Sequence, residues 1–198
     1  MLTQIINGRI FTPQGWLNEG SVLMRDGKIL EVTNCDLALI GANLVDARGM
    51  YIVPGFVCMH AHGGGGHDFT ECTEEAFRTA IAAHMKHGAT SFFPTLSSSP
   101  FSEIRKAVDI CEKLMAEPDS PILGLHVEGP YLNRKMAGEQ FANQVKEVKC
   151  SGQFGRGIPT LDAIGAFKQR GVFCHIDFFH LVERRFCVDE RWKNSGSN

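Results

Sequence analysis

Val53-Pro54-Gly55-Phe56-Val57-Cys58-Met59-His60-Ala61-His62, followed at once by Gly63-Gly64-Gly65-Gly66, decides how the rest of the chain is read. Residues 52–62 are strand-like, rich in aromatic and β-branched side chains before the glycine run stops them. Side chains alternate along a strand, so Phe56, Cys58, His60 and His62 share a face and both imidazoles point the same way. Two imidazoles on one strand can both reach a divalent ion. Neutral imidazole suits zinc, and also iron, nickel or copper. An isolated His-x-His is as readily two satisfied histidines at a strand end, so the surroundings have to decide.

Downstream, Thr73 predicts a helix cap, with Glu74 and Glu75 favourably placed in the first turn. Phe77, Ile81 and Met85 fall on one helical face, and Gly88 closes the helix. Residues 90–93 read as a second strand. Ser102 predicts a second cap, before a helix with the stripe Ile104, Val108, Cys111 and Met115. Pro118 and Pro121 mark a loop, and residues 122–128 read as a third strand. Strands alternating with amphipathic helices mean parallel strands joined by crossovers. Leu161, Ile164 and Phe167 suit a short helix ending near Gly171, with another strand over residues 172–179.

Upstream, residues 4–11 alternate, residues 21–24 and 28–32 flank an Asp26-Gly27 hairpin turn, and residues 43–46 add a short strand. The expected organisation is a small β-rich domain over residues 1–50 and an α/β domain over residues 51–198.

The third predicted strand carries a carboxylate. Ile122, Gly124, His126 and Glu128 share one face, and Leu123, Leu125 and Val127 share the other, which would pack on helices. A glutamate on the interior face of a parallel strand is costly unless paired or metal-bound. His60, His62 and Glu128 then all lie at carboxyl ends of strands, where barrel active sites are built. His126 lies one step deeper and reads as an interior histidine. The glycine run reads as a loop, His67 and Asp68 as loop residues, His84 and His87 as surface groups compensating a helix end, and Ser97, Ser98 and Ser99 as a loop without a nucleophile motif.

Composition sets further bounds. The formal charge of −2 over 198 residues provides no basic excess to hold a nucleic-acid backbone. No apolar run approaches the about 20 residues of a membrane span, and the first residues lack the pattern of a secretory signal. The reading is cytoplasmic. The seven cysteines are odd in number, contain no Cys-x-x-Cys, and read as reduced thiols.

Residues 53–63 resemble the signature of the metal-dependent amidohydrolase superfamily. Gly88-Ala89-Thr90, Phe93-Pro94-Thr95 and Gly124-Leu125-His126-Val127-Glu128-Gly129-Pro130-Tyr131-Leu132 narrow the resemblance to its N-acetylglucosamine-6-phosphate deacetylase family. Asn7-Gly8-Arg9-Ile10-Phe11, Asp26-Gly27-Lys28-Ile29 and Val45-Asp46-Ala47-Arg48-Gly49 fit that family's opening strands. The resemblance runs from about residue 2 to residue 146. It implies part of a (β/α)8 barrel preceded by a β-rich half-sandwich. The implied reaction turns N-acetylglucosamine 6-phosphate into glucosamine 6-phosphate and acetate, a step of amino-sugar catabolism. Its partner is thus a small amino-sugar phosphate, and its cofactor a divalent metal, zinc first and iron or another transition metal next. Full-length relatives are implied to be homodimers.

By the same resemblance Glu128 is a primary metal ligand, and His60 and His62 bind a metal in members with two metal positions. Glu139 and Gln140 correspond to a substrate-contacting pair, although histidine is common where Gln140 stands. Cys58 stands where the superfamily often has aspartate. The family's further histidine ligands and its general-base aspartate come from later strands, so no catalytic residue is assignable in this chain. After about residue 149 the tail is atypical, and neither His175 nor His180 has a family-like context. A complete barrel takes about 250 residues. The chain therefore reads as an N-terminal fragment, truncated or frameshifted, with little activity of its own. Two alternatives stay open: another cyclic amidohydrolase or deaminase, and a non-catalytic metal-binding fragment.

Overall fold

The computed structural model describes residues 1–35 and 38–129, together with the backbone of residues 173–176. Glu139, Gln140, His180, the helix expected over residues 161–171 and most of the tail after residue 149 lie outside the described residues. The chain divides into two compact units, Met1–Gly55 and Phe56–Asn198.

The first unit consists of strands β1 (Leu2–Ile6), β2 (Arg9–Thr12), β3 (Gly15–Leu17), β4 (Ser21–Arg25), β5 (Lys28–Thr33), β6 (Asn43–Asp46) and β7 (Tyr51–Ile52). One sheet has the order β5-β4-β1-β6 and the other β3-β2-β7. The run expected over residues 4–11 is two strands, because Asn7 turns the chain in a left-handed conformation (φ 56°). The Asp26-Gly27 turn forms as expected. Both residues have positive φ, and Arg25 pairs with Lys28 across the two-residue loop. Gln4 is buried with its amide used at both ends: Nε2 donates to Ser21 Oγ at 2.9 Å, and Oε1 accepts Leu39 N–H at 2.8 Å.

The second unit begins with β8 (Phe56–Ala61). Val53, Pro54, which has no N–H for a ladder, and Gly55 separate it from β7, so the strand-like run over residues 52–62 is also broken. The four glycines form half of a small hairpin, β9 (Gly63–Gly64) with β10 (His67–Asp68), turning through Gly65 and Gly66 at positive φ. A side chain at Gly63 would overlap the carbonyl of His67, so the close pairing of this hairpin needs glycine there. Asp68 then caps a 3₁₀ turn, Phe69–Glu71, through a reciprocal bond with Glu71.

Helix α1 (Glu74–Met85) starts where Thr73 accepts Ala76 N–H. Phe77 and Ile81 are buried, while Met85, the third residue of the expected stripe, is exposed in the last turn. Strand β11 (Ala89–Leu96) follows, then α2 (Phe101–Met115). The cap of α2 is Pro100, with no side-chain bond, and not Ser102. Proline presets the backbone at this turn without needing a hydroxyl. Ile104, Val108 and Cys111 are buried as expected, joined by Ala107 and Leu114.

Strand β12 (Gly124–Val127) is shorter than expected, and β13 (Phe173–Ile176) lies beside it. The sheet order is β13-β12-β11-β8, and every pairing is parallel. Leu125 and Val127 enter the core with Phe69, Phe77, Phe92 and Leu96. Full burial of one such side chain contributes about 1.5–3 kcal/mol. The alternation fails just before β12, where Ile122 is in the core and Leu123 is exposed. Ile122 bridges Phe92 outside the regular strand, so its direction is not set by the β12 pleat. Among the described residues no helix is long and apolar enough to cross a membrane.

Candidate metal centre

β11 is the middle strand of the three that build the site. β8 delivers His60 and, one residue past its end, His62. On the other side, β12 ends at Val127 and places Glu128 directly after it. The backbone N–H of Glu128 still reaches across to Leu96 O at 2.9 Å, which fixes this residue although it lies beyond the strand.

His60 Nε2 and His62 Nε2 stand 3.1 Å apart. Glu128 Oε2 lies 3.1 Å from His62 Nε2 and 3.6 Å from His60 Nε2. The three atoms thus form a nearly regular triangle. Zinc-to-nitrogen distances of about 2.0–2.1 Å in a tetrahedral site require ligand atoms about 3.3–3.4 Å apart, which is the scale of this triangle. Glu128 Oε2 is buried yet accepts no hydrogen bond among the described residues. Its imidazole neighbours are close without being aligned as donors, so the three atoms aim at common ground between them. Two neutral nitrogens and one carboxylate oxygen form a donor set suited to zinc or another transition-metal dication. The side chain of Glu128 is 19% exposed, against 48% for His60 and 36% for His62. The carboxylate forms the floor, and the imidazoles line the open side.

The surroundings of the triad are polar and bonded. His62 Nδ1 meets Ser97 Oγ at 2.9 Å. Thr95 Oγ1 accepts the N–H of Ala61 at 3.1 Å and bonds His126 Nδ1 at 3.2 Å. His126 is buried, and its ring packs on that of His60 with centroids 5.0 Å apart. The expectation of an interior histidine one step below Glu128 matches this placement.

Ser97, His84 and His67 each make a defined contact. Ser97, just past the end of β11, meets His62. Its signal was its period-two relation to Thr95 at the end of β11. His84 is not a free surface group: its Nε2 reaches Gly63 O at 2.9 Å and its ring packs on Phe92. It ties the glycine hairpin to α1. His67 pairs with Glu71 at 3.0 Å and is not part of the triad. Among the described residues His60, His62 and Glu128 are the one group placed to hold a metal. The substrate pair Glu139 and Gln140 lies outside the described residues.

Comparison with known proteins places this geometry in a family. Residues 51–165, more than half of the chain, match the amidohydrolase family. The chain belongs to the amidohydrolase family. Amidohydrolases are metal-dependent, and the His-His-Glu group is where this member could hold its ion. The chain is 30% identical over 146 residues to N-acetylglucosamine-6-phosphate deacetylase of Haemophilus influenzae, covering 73% of this chain and 38% of that protein. It is 31% identical over 135 residues to the human protein of the same name, covering 66% and 32%. The chain therefore spans about a third of the length of the curated amidohydrolases it matches. Among solved structures, N-acetylglucosamine-6-phosphate deacetylase from Pasteurella multocida superposes with a TM-score of 0.72 at 21% identity, covering 89% of this chain and 50% of that one. The Thermotoga maritima enzyme superposes with 0.62 at 21% identity, covering 89% and 48%. At these identities the superpositions establish the shared amidohydrolase fold.

Proposed function

We propose that this chain carries the metal-binding part of a deacetylase that hydrolyses the N-acetyl group of N-acetylglucosamine 6-phosphate, giving glucosamine 6-phosphate and acetate. The observation that carries the reading is the convergence of His60, His62 and Glu128 from two strands onto one point. The names borne by the relatives then supply the substrate class. In this reading residues 1–50 are a half-sandwich, and residues 51–198 are the N-terminal part of a (β/α)8 barrel in a cytoplasmic enzyme.

His60, His62 and Glu128 hold a divalent cation, zinc first. Such a cation polarises an amide carbonyl and acidifies a bound water, the two deficits of uncatalysed amide hydrolysis. Glu128 supplies the negative charge that keeps a dication in place. The exposed imidazole edges leave the opposite side free for a small molecule. Glu139 and Gln140 are assigned to contact the sugar phosphate. The proton-transferring group is not assigned to any residue here. A transition-state interaction worth about 4 kcal/mol is already roughly a thousandfold in rate, so turnover by these residues alone is slow.

The test combines metal analysis with product analysis on the purified chain and its Glu128→Gln variant. Bound zinc with slow acetate release, both lost in the variant, supports the reading. Ring opening of a cyclic amide, or ammonia release from an aminopurine, in place of acetate release would transfer the chain to the cyclic amidohydrolases or the deaminases. Zinc bound without acetate release reduces it to a metal-binding module. An H. influenzae deacetylase control fixes the assay's sensitivity.

A further inference from the structure

The geometry points to Ser97 as the positioning residue of the metal centre, its hydroxyl accepting the Nδ1–H of His62 and so fixing the tautomer whose Nε2 lone pair faces His60 and Glu128. This inference rests on the metal-binding reading above.

An imidazole with one N–H has two tautomers, and only one of them leaves Nε2 free to ligate. The choice is set by what the other nitrogen meets. At His62 the other nitrogen meets Ser97 Oγ at 2.9 Å, a well-formed hydrogen-bond distance. Ser97 follows β11 directly and stands two residues after Thr95, so both hydroxyls rise on the side of the sheet that bears the imidazoles.

The four residues 95–98 act as a template between β8 and β12. Thr95 Oγ1 holds Ala61 N–H on the β8 side. Leu96 O holds Glu128 N–H on the β12 side at 2.9 Å. Ser97 holds the His62 ring. Ser98 Oγ reaches Glu128 O at 3.4 Å. The middle strand thus contributes no ligand and instead sets the backbone of both ligand-bearing segments. Ser97 is the member of this set that acts on a ligand ring directly. The ring of His60 rests instead on His126, a packing contact that orients a plane without choosing a proton position.

The experiment uses the full chain with ¹⁵N-labelled histidine, free of metal and at mildly alkaline pH. Its ring-nitrogen signals are assigned with His62→Ala. His62 is expected as the Nδ1–H tautomer in the parent and in Ser97→Thr, which keeps the hydroxyl, and as a mixture in Ser97→Ala. Zinc affinity, read by competition with a chromophoric chelator, is expected to fall about 10–100-fold in Ser97→Ala and to recover in Ser97→Thr. An Nε2–H tautomer for His62 in the parent would overturn the proposal, because Ser97 would then be donating. Equal zinc affinity in the parent and Ser97→Ala would overturn it while leaving the metal site standing. Failure of the parent to bind zinc, with an Nδ1–H tautomer observed, would instead overturn the metal-binding reading on which it rests. A near-ultraviolet circular dichroism match between variants separates these results from misfolding.

Discussion

Thr95 Oγ1 accepts the backbone N–H of Ala61, the residue between the two histidines of the triad. Thr95 is fully buried. Its hydroxyl bonds within the protein, to Ala61 N–H, His126 Nδ1 and the carbonyl of Phe93. Thr95→Val keeps the shape and removes the hydroxyl, leaving Ala61 N–H without that acceptor. The expected loss is about 1–3 kcal/mol of stability, measured by urea unfolding. A change below a few tenths would show that the bond contributes nothing net.

Glu128→Gln should lower zinc affinity far more than His67→Ala. The first keeps volume and removes the one negative charge of the triad, whereas His67 is engaged with Glu71 away from it. Chelator competition on both variants checks this, with at least about a tenfold separation expected from the loss of one charged ligand. Equal affinities would place the ion elsewhere.

The acid limb of stability should depend on Arg78. This residue bonds Glu74 at 2.8 Å and also pairs with Glu117, and Lys113 pairs with Glu74, so the network joins α1 to α2 and the turn after it. The bond from Lys113 first, then that from Arg78, holds the Glu74 carboxyl below its ordinary range. Arg78 does the same for Glu117. A carboxyl depressed in the folded state contributes stability above its ordinary value of 4.5, and that stability is lost as pH falls through the folded value. All these groups are exposed, so screening keeps the effect small. Arg78→Met should therefore melt like the parent at low pH and fall modestly below it above pH 4.5. Thermal melts across the acid range check this, and curves that stay parallel would contradict it.

Gly129→Ala should disturb the site from behind. Gly129 has φ +96°, and an added Cβ would overlap Ser98 Oγ. The backbone conformation alone costs an L-residue about 1–2 kcal/mol. The displaced neighbour is the residue that holds Glu128 O. Lower melting temperature together with weaker zinc binding is expected. An unchanged zinc affinity would show that Glu128 is insensitive to the turn that follows it.

Much of this architecture was legible wherever a local rule acts alone. Asp26-Gly27 specifies its turn by backbone sterics, and Thr73 specifies a helix start by one hydrogen bond. His60, His62 and Glu128 were legible because the period-two pleat and strand ends fix direction. Legibility failed where a neighbour in space decides. Ile122 turns inward because it bridges Phe92, against the alternation of its own segment. Met85 follows the stripe of α1 but lies in the last turn, where it is exposed. His84 is anchored by Gly63, a partner across the hairpin that helix periodicity cannot show. Ser97 shows its side only through its period-two relation to Thr95, and what gives it a role is the ring of His62, a partner distant in sequence.

The interposed middle strand has a kinetic consequence. β8 and β12 never pair with each other, because β11 lies between them. Their ligands come together only after both strand–helix–strand crossovers have closed, the slow non-local part of folding such a chain. An ion held by all three is then a latch that engages the finished topology and is absent from the structures that precede it. Interactions missing from the transition state slow unfolding and leave the folding rate unchanged. Zinc should lower the unfolding limb of a chevron plot and leave the refolding limb in place, so that the metal extends the lifetime of the assembled sheet without hastening its assembly.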